Sequence, residues 1–306
     1  MDWRAQIALV DEVAGAIAST NPSVHVDVQY GPNGVQWCSQ PMLEAIANVS
    51  ADNNRRVHMH LLETSLQRKW ADEQFPDGIV RYLKDIGLLT PRLTLAHCVW
   101  ARPDELEMIA ESGSIIAVNP SSNLALFSGI APVREMMAKG VDVCLGLDGC
   151  TLDEDDDALR ELRLLRLLNA GYSFGSGVRG TELLRIACSN GRRALGLGPG
   201  GTIESGMPAD LLLIDAQAID KDALAPVDFR ELLFARGNTG HIRTVIGNGR
   251  TIVEDGKLMT IDLKAAEEEL RCYYRAALGD QAAIAEAWNA VEPALARFNR
   301  DWAGCE

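Results

Sequence analysis

The sequence has few of the features that mark several common classes of protein. Lysine and arginine number 29 against 43 aspartates and glutamates, which gives a net charge of −14. Nucleic acids and anionic membranes bind basic surfaces, so this balance argues against both as partners. No apolar run approaches the length of a membrane span, and the charged start "MDWRAQIALVDEVAGAIAS" lacks the apolar core of a signal peptide.

Cysteine and histidine are also sparse. The seven cysteines are odd in number, widely spaced and without a C-x-x-C pair. This pattern argues against a disulfide framework or a cysteine zinc site, and it predicts a reducing, cytoplasmic location. Only five histidines occur, and two of them stand in "VHMHLLET", residues 57–64.

The 306 residues suit one large α/β domain with a small appendage. Strand-type and helix-type segments alternate along much of the chain, which indicates a parallel sheet with crossover helices. The predicted strands are 24–32, 56–64, 93–100, 114–123 and 141–149. The predicted helices are 2–17, 40–50, 78–89, 103–113, 131–140 and 157–171. A (β/α)8 barrel and an open doubly wound sheet both satisfy this alternation.

Polar residues at the strand ends favour the barrel. In a barrel the carboxyl ends of the strands meet at one mouth, whereas five strands of an open sheet would spread them apart. These residues are His60, Glu63, His97, Ser121 to Asn123, and Asp148. We therefore predict a (β/α)8 TIM-type barrel in residues 1–198. Short strands with glycine turns predict a β-subdomain at 199–261, and residues 262–306 predict a helical tail that packs on the barrel.

Three of these residues are of the types that hold a catalytic zinc ion. Zinc takes histidine nitrogen and carboxylate oxygen and keeps one position for water, and His60, His97 and Asp148 offer such groups. A metal there would generate a hydroxide nucleophile, and Glu63 would pass the proton of the water to a leaving nitrogen. Each residue alone has a plainer interpretation, as a hydrogen-bonded core histidine or as a turn aspartate. The order His, His, Asp on neighbouring strands is more specific than its members.

Six segments together resemble the amidohydrolase superfamily, in particular the branch with guanine and 8-oxoguanine deaminases, adenosine-derivative deaminases and s-triazine chlorohydrolases. They are "HMHLLET", "LTLAHCVW", "VNPSSNLALFSGIAPV", "GVDVCLGLDG", "ALGLGPGGTIESGMPADLLLID" and "VIGNGRTIVEDGK". The resemblance covers roughly residues 20–260. It implies a metal-dependent barrel with a small β-sandwich, which hydrolyses C–N and sometimes C–Cl bonds of heterocycles such as purines, pterins or triazines.

The resemblance also implies roles for individual residues. His60 and His97 become the metal ligands on the fifth and sixth barrel strands. Asp148 becomes the eighth-strand carboxylate, which contacts the metal and shares in proton transfer, and Glu63 becomes the acid/base group. The implied cofactor is one divalent metal, zinc or alternatively iron.

Four further residues are expected to form a substrate pocket, and one histidine is not. Ser122 and Asn123 fall where the family shapes the pocket wall. Gln36 and Trp37 are candidates for the same pocket, although ordinary packing is the alternative for Trp37. His58 lies on the same side of its strand as His60 but two residues deeper, where a role in the barrel core is expected.

The sequence departs from the family pattern at its start. The His-x-His of the first barrel strand and the leading half of the β-sandwich are absent, so only about the last five barrel strands are expected. The metal site then has three ligands instead of five. Unpaired sheet edges and apolar helix faces predict cover by a second copy in a homodimer, an exchanged segment or a separate polypeptide. Truncation of a longer gene product is a further explanation.

Two functional hypotheses remain. The first is a metal-dependent amidohydrolase that deaminates or dechlorinates a small nitrogen heterocycle. The second is a non-catalytic remnant or subunit of such an enzyme. "GLGPGG" (196–201) follows a predicted helix instead of a strand, which argues against dinucleotide binding. "LDEDDD" (152–157) is either a cation site or, in our preferred interpretation, the acidic first turn of a helix.

Overall fold

A computed structural model describes residues 2–20, 26–149, 155–173, 175–221 and 226–303. The chain divides into two compact units. The first unit comprises Met1–Met207 and Ile219–Thr239, and the second comprises Pro208–Ala218 and Gly240–Glu306.

The helices and strands follow one another as predicted over much of the chain. The helices are α1 Trp3–Thr20, α2 Gln40–Asn53, α3 Ser65–Gln74, α4 Ile79–Asp85, α5 Pro103–Ser112, α6 Pro120–Ala125, α7 Val133–Ala138, α8 Ala158–Leu168, α9 Gly180–Arg185, α10 Gly191–Leu195, α11 Ala216–Ile219, α12 Phe229–Arg236 and α13 Leu263–Ala303. The strands are β1 Val57–Leu61, β2 Leu93–His97, β3 Ile115–Val118, β4 Asp142–Leu145, β5 Leu211–Ile214, β6 Ile242–Gly247, β7 Arg250–Glu254 and β8 Lys257–Leu258. A π-helical segment, Ile186–Asn190, joins α9 to α10.

A parallel sheet in the order β1–β2–β3–β4 forms the centre of the first unit. The two middle strands, β2 and β3, are buried along their whole length. Strands of a parallel sheet covered by helices on both faces have this apolar character, which explains their runs of Leu, Ile, Val and Ala. The predicted parallel sheet with crossover helices is therefore confirmed.

The first predicted strand, 24–32, is not a strand among the described residues. Residues 24 and 25 lie outside the described part of the chain. Beyond them only two isolated parallel bridges reach β1, from Tyr30 to Val57 and from Gly34 to His60. Pro32, which has no amide hydrogen, stands between the two bridges and prevents a continuous ladder. The described sheet therefore has four parallel strands, where five were expected.

Two other predicted strands end early because a helix begins. The strand predicted at 114–123 ends at Val118, and Pro120 starts α6 in the first helical turn, where proline is favoured. Ser122 and Asn123 therefore lie on a helix. The strand predicted at 56–64 ends at Leu61, and the Thr64 side chain accepts a hydrogen bond from the backbone amide of Gln67 to cap α3. Helix α3 is not among the helices predicted from the sequence.

Helix α8 begins as the acidic-turn interpretation requires. The Asp157 side chain accepts hydrogen bonds from the backbone amides of Leu159 and Arg160, and its other oxygen accepts one from Thr239. The cation-site alternative for "LDEDDD" falls largely on residues 151–154, which lie outside the described residues. Helix α12 packs on α8 and α9 and buries Phe234. Its segment thus belongs to the first unit, whereas the sequence analysis placed it in a β-subdomain at 199–261.

The second unit contains an antiparallel sheet in the order β5–β6–β7–β8. Asn248 and Gly249 join β6 to β7, and both have positive φ, as a two-residue hairpin of this type requires. Helix α13 follows, with 41 residues. The predicted packing of this tail on the barrel stays a prediction. Among the described residues no helix is both long enough and apolar enough to span a membrane.

Candidate metal centre

Three predicted ligands meet at the carboxyl edge of the parallel sheet. His60 lies near the end of β1, His97 is the last residue of β2, and Asp148 follows the end of β4 by three residues. The carboxyl ends of parallel strands share one edge, so residues distant in sequence converge there. The ligand atoms of the three side chains all lie within 4.8 Å of one another.

The His60 ring is held with one nitrogen free. Its Nδ1 lies 2.5 Å from the backbone oxygen of Asn33. A carbonyl oxygen can only accept, so Nδ1 carries the proton and donates it, which leaves a lone pair on Nε2. The His60 and His97 rings are stacked, with centroids 5.4 Å apart and an interplanar angle of 16°.

His97 is buried and is oriented from α6. Its Nδ1 lies 2.8 Å from Asn123 Oδ1 and 3.3 Å from Asn119 Nδ2. A protonated Nδ1 can donate to the Asn123 oxygen, which accepts, but not to the Asn119 amide nitrogen, which is itself a donor. We assign the proton to Nδ1 because the contact to Asn123 is the shorter one. The Nε2 atom then has a free lone pair, 3.9 Å from Asp148 Oδ2.

Asp148 is oriented by the same helix. Ser122 donates a hydrogen bond to Asp148 Oδ2 at 2.5 Å. The Asp148 side chain is partly exposed, whereas Ser122 is fully buried. Each ligand thus has a partner behind it that fixes its direction, which is the usual arrangement at protein metal sites.

Backbone strain is concentrated at the ends of these strands. Leu62, His97, Cys98 and Asp148 have φ values of 50°, 71°, 48° and 63°. Non-glycine residues adopt this left-handed conformation at a cost of about 1–3 kcal/mol each, and it persists only where the surroundings impose it. The strain turns the strand ends so that His97 and Asp148 face the same point.

The predicted acid/base residue, Glu63, lies beside the ligands without being one of them. Its Oε2 is 4.0 Å from His97 Nε2. Ser128 donates to Glu63 Oε1 at 3.2 Å, and the backbone amide of Glu63 donates to Gln67 Oε1 at 2.8 Å. Neither partner was predicted from the sequence. The nearness of Gln67 in sequence was an available signal, because Gln67 lies in the first turn of α3 and Glu63 directly precedes the residue that caps this helix.

His58 occupies the same side of β1 as His60, as predicted, but it is exposed. The expectation of a buried core position is therefore wrong. The four described strands leave this face of β1 without an opposing wall, so the side chain reaches solvent. Nearby protein still displaces part of its water, and His60 and His97 repel a positive charge, so the pKa of His58 is lowered.

The four predicted pocket residues divide into two pairs. Ser122 and Asn123 are buried behind Asp148 and His97, so their contacts in the structure are to ligands. Substrate contact by these two residues stays a prediction. Trp37 is 57% exposed, and its ring meets the edge of His60 at a centroid distance of 6.2 Å. A role for Trp37 in a substrate pocket stays a prediction, and ordinary packing stays the alternative. Gln36 precedes it, with a buried Nε2 that has no hydrogen-bond partner among the described residues.

The residues fit a divalent ion. Zinc binds nitrogen and oxygen at about 2.0–2.2 Å, which sets neighbouring ligand atoms about 3–4 Å apart. The distance of 3.9 Å between His97 Nε2 and Asp148 Oδ2 is of this size. Two imidazoles with free Nε2 lone pairs and one carboxylate match the donor set of catalytic zinc sites, in which one position stays open.

A cavity among the described residues lies away from these side chains. It has a volume of about 590 Å³ and lies between α7 and the end of α8, where Arg134, Leu168 and Tyr172 contribute to its lining. None of the metal ligands contributes to it. The arrangement of donor groups is therefore a better guide to the site than cavity size.

The chain belongs to the amidohydrolase family, whose sequence profile matches residues 4–252. It is 31% identical over 245 residues to a 5'-deoxyadenosine deaminase of Methanosarcina barkeri, a match that covers 80% of this chain and 56% of the relative. It is 34% identical over 244 residues to a 5-methylthioadenosine/S-adenosylhomocysteine deaminase of Pyrococcus abyssi, covering 78% and 56%. The predicted family is confirmed.

Two solved structures share the fold. One is an adenosine deaminase from Xanthomonas campestris with bound zinc, at a TM-score of 0.81 and 25% identity, covering 88% of this chain and 61% of the other. The second is an atrazine chlorohydrolase from Arthrobacter aurescens in complex with zinc, at a TM-score of 0.78 and 26% identity, covering 86% and 59%. The chain thus spans little more than half the length of these relatives.

Proposed function

We propose that this chain carries the metal-binding part of an aminohydrolase that removes an amino group from a nitrogen heterocycle. One observation carries the proposal: the ligand atoms of His60, His97 and Asp148 converge within 4.8 Å. Glu63 Oε2 stands 4.0 Å from the His97 ligand atom, outside the ligand set. Zinc is the proposed ion, because its donor preferences match and the two zinc-bound structures share the fold.

The residues around the ion have separate tasks. A divalent ion bound to the three ligands would acidify water and supply a nucleophile at neutral pH. Glu63 would accept the proton of that water and donate it to the leaving nitrogen, and Asp148 would share in the proton transfer. Ser128 and Gln67 hold the Glu63 carboxylate in place for this task.

The proton donor favours deamination over dechlorination. An amine leaves a ring carbon readily only after it gains a proton, whereas chloride leaves as an anion without one. A carboxyl group beside the ligands suits the first reaction. The relatives named as deaminases of adenosine derivatives support the same substrate class, a purine with an exocyclic amine. The exposed Trp37 ring beside His60 would offer an aromatic surface for such a heterocycle.

Metal binding can be tested without any turnover assay. The full chain is stripped with a chelator and titrated with Zn²⁺ by calorimetry, beside a His97→Asn variant. Loss of one of three ligands should weaken binding by more than about 100-fold, because losing even a residue that only orients a ligand costs about 10–100-fold. His241→Asn, in the second unit, is the matched control and should bind as the parent does. Equal affinities of all three proteins would refute the proposed ligand set.

The role of Glu63 is tested by turnover. Ammonia release from 5'-deoxyadenosine, adenosine and guanine is measured for the metal-loaded chain and for Glu63→Gln. General acid–base catalysis contributes about 10²–10⁴-fold, so the rate should fall by that factor while zinc affinity stays nearly unchanged. Glu73→Gln, on the exposed side of α3, should keep the parent rate.

The alternative function, a non-catalytic subunit, predicts a different pattern. It expects no hydrolysis by the metal-loaded chain on any purine, pterin or triazine. A zinc-bound chain that releases neither ammonia nor chloride would retain the metal site and refute the aminohydrolase activity of this chain.

A further inference from the structure

Helix α13 repeats apolar residues in alternating steps of four and three. From Leu270 onward the stripe consists of Leu270, Tyr274, Ala277, Ile284, Trp288, Val291, Leu295 and Phe298. The mean spacing of 3.5 residues is that of a coiled-coil seam, whereas an ordinary surface helix follows a period of 3.6. Gln281 holds the one remaining position of the stripe, near its middle. This sustained period indicates a helix built to pair with another helix.

The stripe is exposed along its length. Leu270 and Ile284 are each 68% exposed, and Trp288 is 53% exposed. Single exposed apolar residues are normal on protein surfaces, but a continuous stripe of them marks an interaction surface.

The size of the stripe suits a specific interface. The stripe from Leu270 to Phe298 has 29 residues and spans about 43 Å, so a seam about 10–12 Å wide covers roughly 430–520 Å² per copy. Two such stripes together bury about 900–1,000 Å². A complementary protein interface requires about 1,000 Å², so the pair of stripes lies at the lower end of the size range of specific interfaces.

Side-chain volumes favour an antiparallel pair of identical helices. When the pair is centred between Gln281 and Ile284, Trp288 of one copy faces Ala277 of the other. In a parallel pair each residue meets itself, so Trp288 meets Trp288 and Ala277 meets Ala277. The first contact overfills its layer and the second leaves a void, and both are unfavourable. The antiparallel pair instead has two symmetry-related layers, in each of which Trp288 of one copy meets Ala277 of the other.

Charges beside the stripe favour the same orientation. Arg271 and Glu292 each follow a stripe residue, Leu270 and Val291, so they flank the seam on the same side. In the antiparallel pair Arg271 of one copy faces Glu292 of the other, and the contact occurs twice by symmetry. In a parallel pair these positions are 21 residues apart along the axis, about 30 Å, and do not meet. Flanking charges of this kind set the orientation of paired helices.

We propose that α13 pairs antiparallel with the α13 of a second copy of this chain, through the stripe from Leu270 to Phe298. The inference does not depend on the metal centre or on the proposed reaction. Cys272, Glu286 and Pro293 lie on the opposite side of the helix, away from the seam.

The mass of the full chain in solution tests the pairing. Light scattering and sedimentation over a wide concentration range should give a dimer. Ile284→Glu places a charge in the seam and should raise the dimer dissociation constant by at least about 100-fold, as expected for a central interface residue. Ala283→Glu, one position along and on the outer side, carries the same charge and should leave the dimer intact. Circular dichroism must show the same helix content in both variants.

Charge exchange tests the orientation. Arg271→Glu and Glu292→Arg should each weaken the dimer, because like charges then face each other across the seam. The double variant restores both opposite-charge contacts in an antiparallel pair and should recover the parent dissociation constant. A parent chain that stays monomeric, a dimer insensitive to Ile284→Glu, or a double variant no tighter than the singles would each overturn the proposal.

Discussion

A buried ion pair between α3 and α5 offers a quantitative test of how the candidate metal centre is supported. Arg68 on α3 binds Glu105 on α5, with Nη1 at 2.9 and 2.8 Å from the two carboxylate oxygens. The side chains are 10% and 3% exposed. Helix α3 begins two residues after Glu63, and α5 follows the strand that ends in His97. The pair therefore joins the two segments that carry these residues.

Glu105→Gln removes the negative charge and keeps the shape of the side chain. Breaking a buried pair by changing one partner costs about 3–5 kcal/mol, because a charge is left buried without compensation. Asp72 still accepts a hydrogen bond from Arg68 at 2.5 Å, so the lower end of this range is expected. A change of about 3 kcal/mol lowers the melting temperature of a unit of this size by about 6–12 °C.

Glu107→Gln on the same helix is the matched control. Its partner is Lys139, and the Glu107 side chain is 55% exposed, so the pair is screened by water. Exposed pairs contribute little to stability, so the melting temperature should fall by no more than about 4 °C. Thermal unfolding followed by circular dichroism measures both variants. Equal shifts in the two variants would refute the argument that burial decides the value of the pair.

Two further outcomes follow from the geometry. Ser122→Ala removes the hydrogen bond to Asp148 Oδ2, so zinc affinity measured by calorimetry should fall about 10–100-fold. An unchanged affinity would show that Ser122 does not support the site. In native protein treated with iodoacetamide, the exposed Cys272 should be alkylated while the buried Cys144 stays unmodified. Iodoacetamide reacts with the thiolate, and burial raises the pKa of Cys144 to about 12, so this residue stays protonated. Peptide mass mapping distinguishes the two cysteines, and alkylation of Cys144 in the folded state would contradict its placement.

Local patterns predicted the elements that carry the ligands. The apolar segments at 93–100 and 141–149 contain β2 and β4, and polar residues at the ends of these strands predicted His97 and Asp148 as neighbours in space, which they are. The family was also apparent from the order of the motifs, and the profile match confirms it. These successes share a cause, since buried strands and the polar residues that follow them are defined by a few adjacent positions.

Element ends and supporting contacts were harder to predict. The segment "NPSSN" reads as the end of a strand, but Pro120 starts a helix that brings Ser122 to Asp148 and Asn123 to His97. Ser128 lies 65 positions from Glu63 in sequence, and its hydrogen bond to that carboxylate has no local signature. The expected burial of His58 failed because burial depends on what stands opposite a strand.

The sequence by itself determined the residue types of the candidate metal centre, the parallel arrangement of the strands that carry them, and the heptad period of α13. These properties depend on composition and spacing over short distances, where helix and strand periods act directly. Tertiary structure decided which side chains hold the ligands, which nitrogen of His60 is left free, and how far Trp37 is exposed beside it. Those properties arise only when segments far apart in the chain meet, because hydrogen bonding and burial depend on neighbours in space.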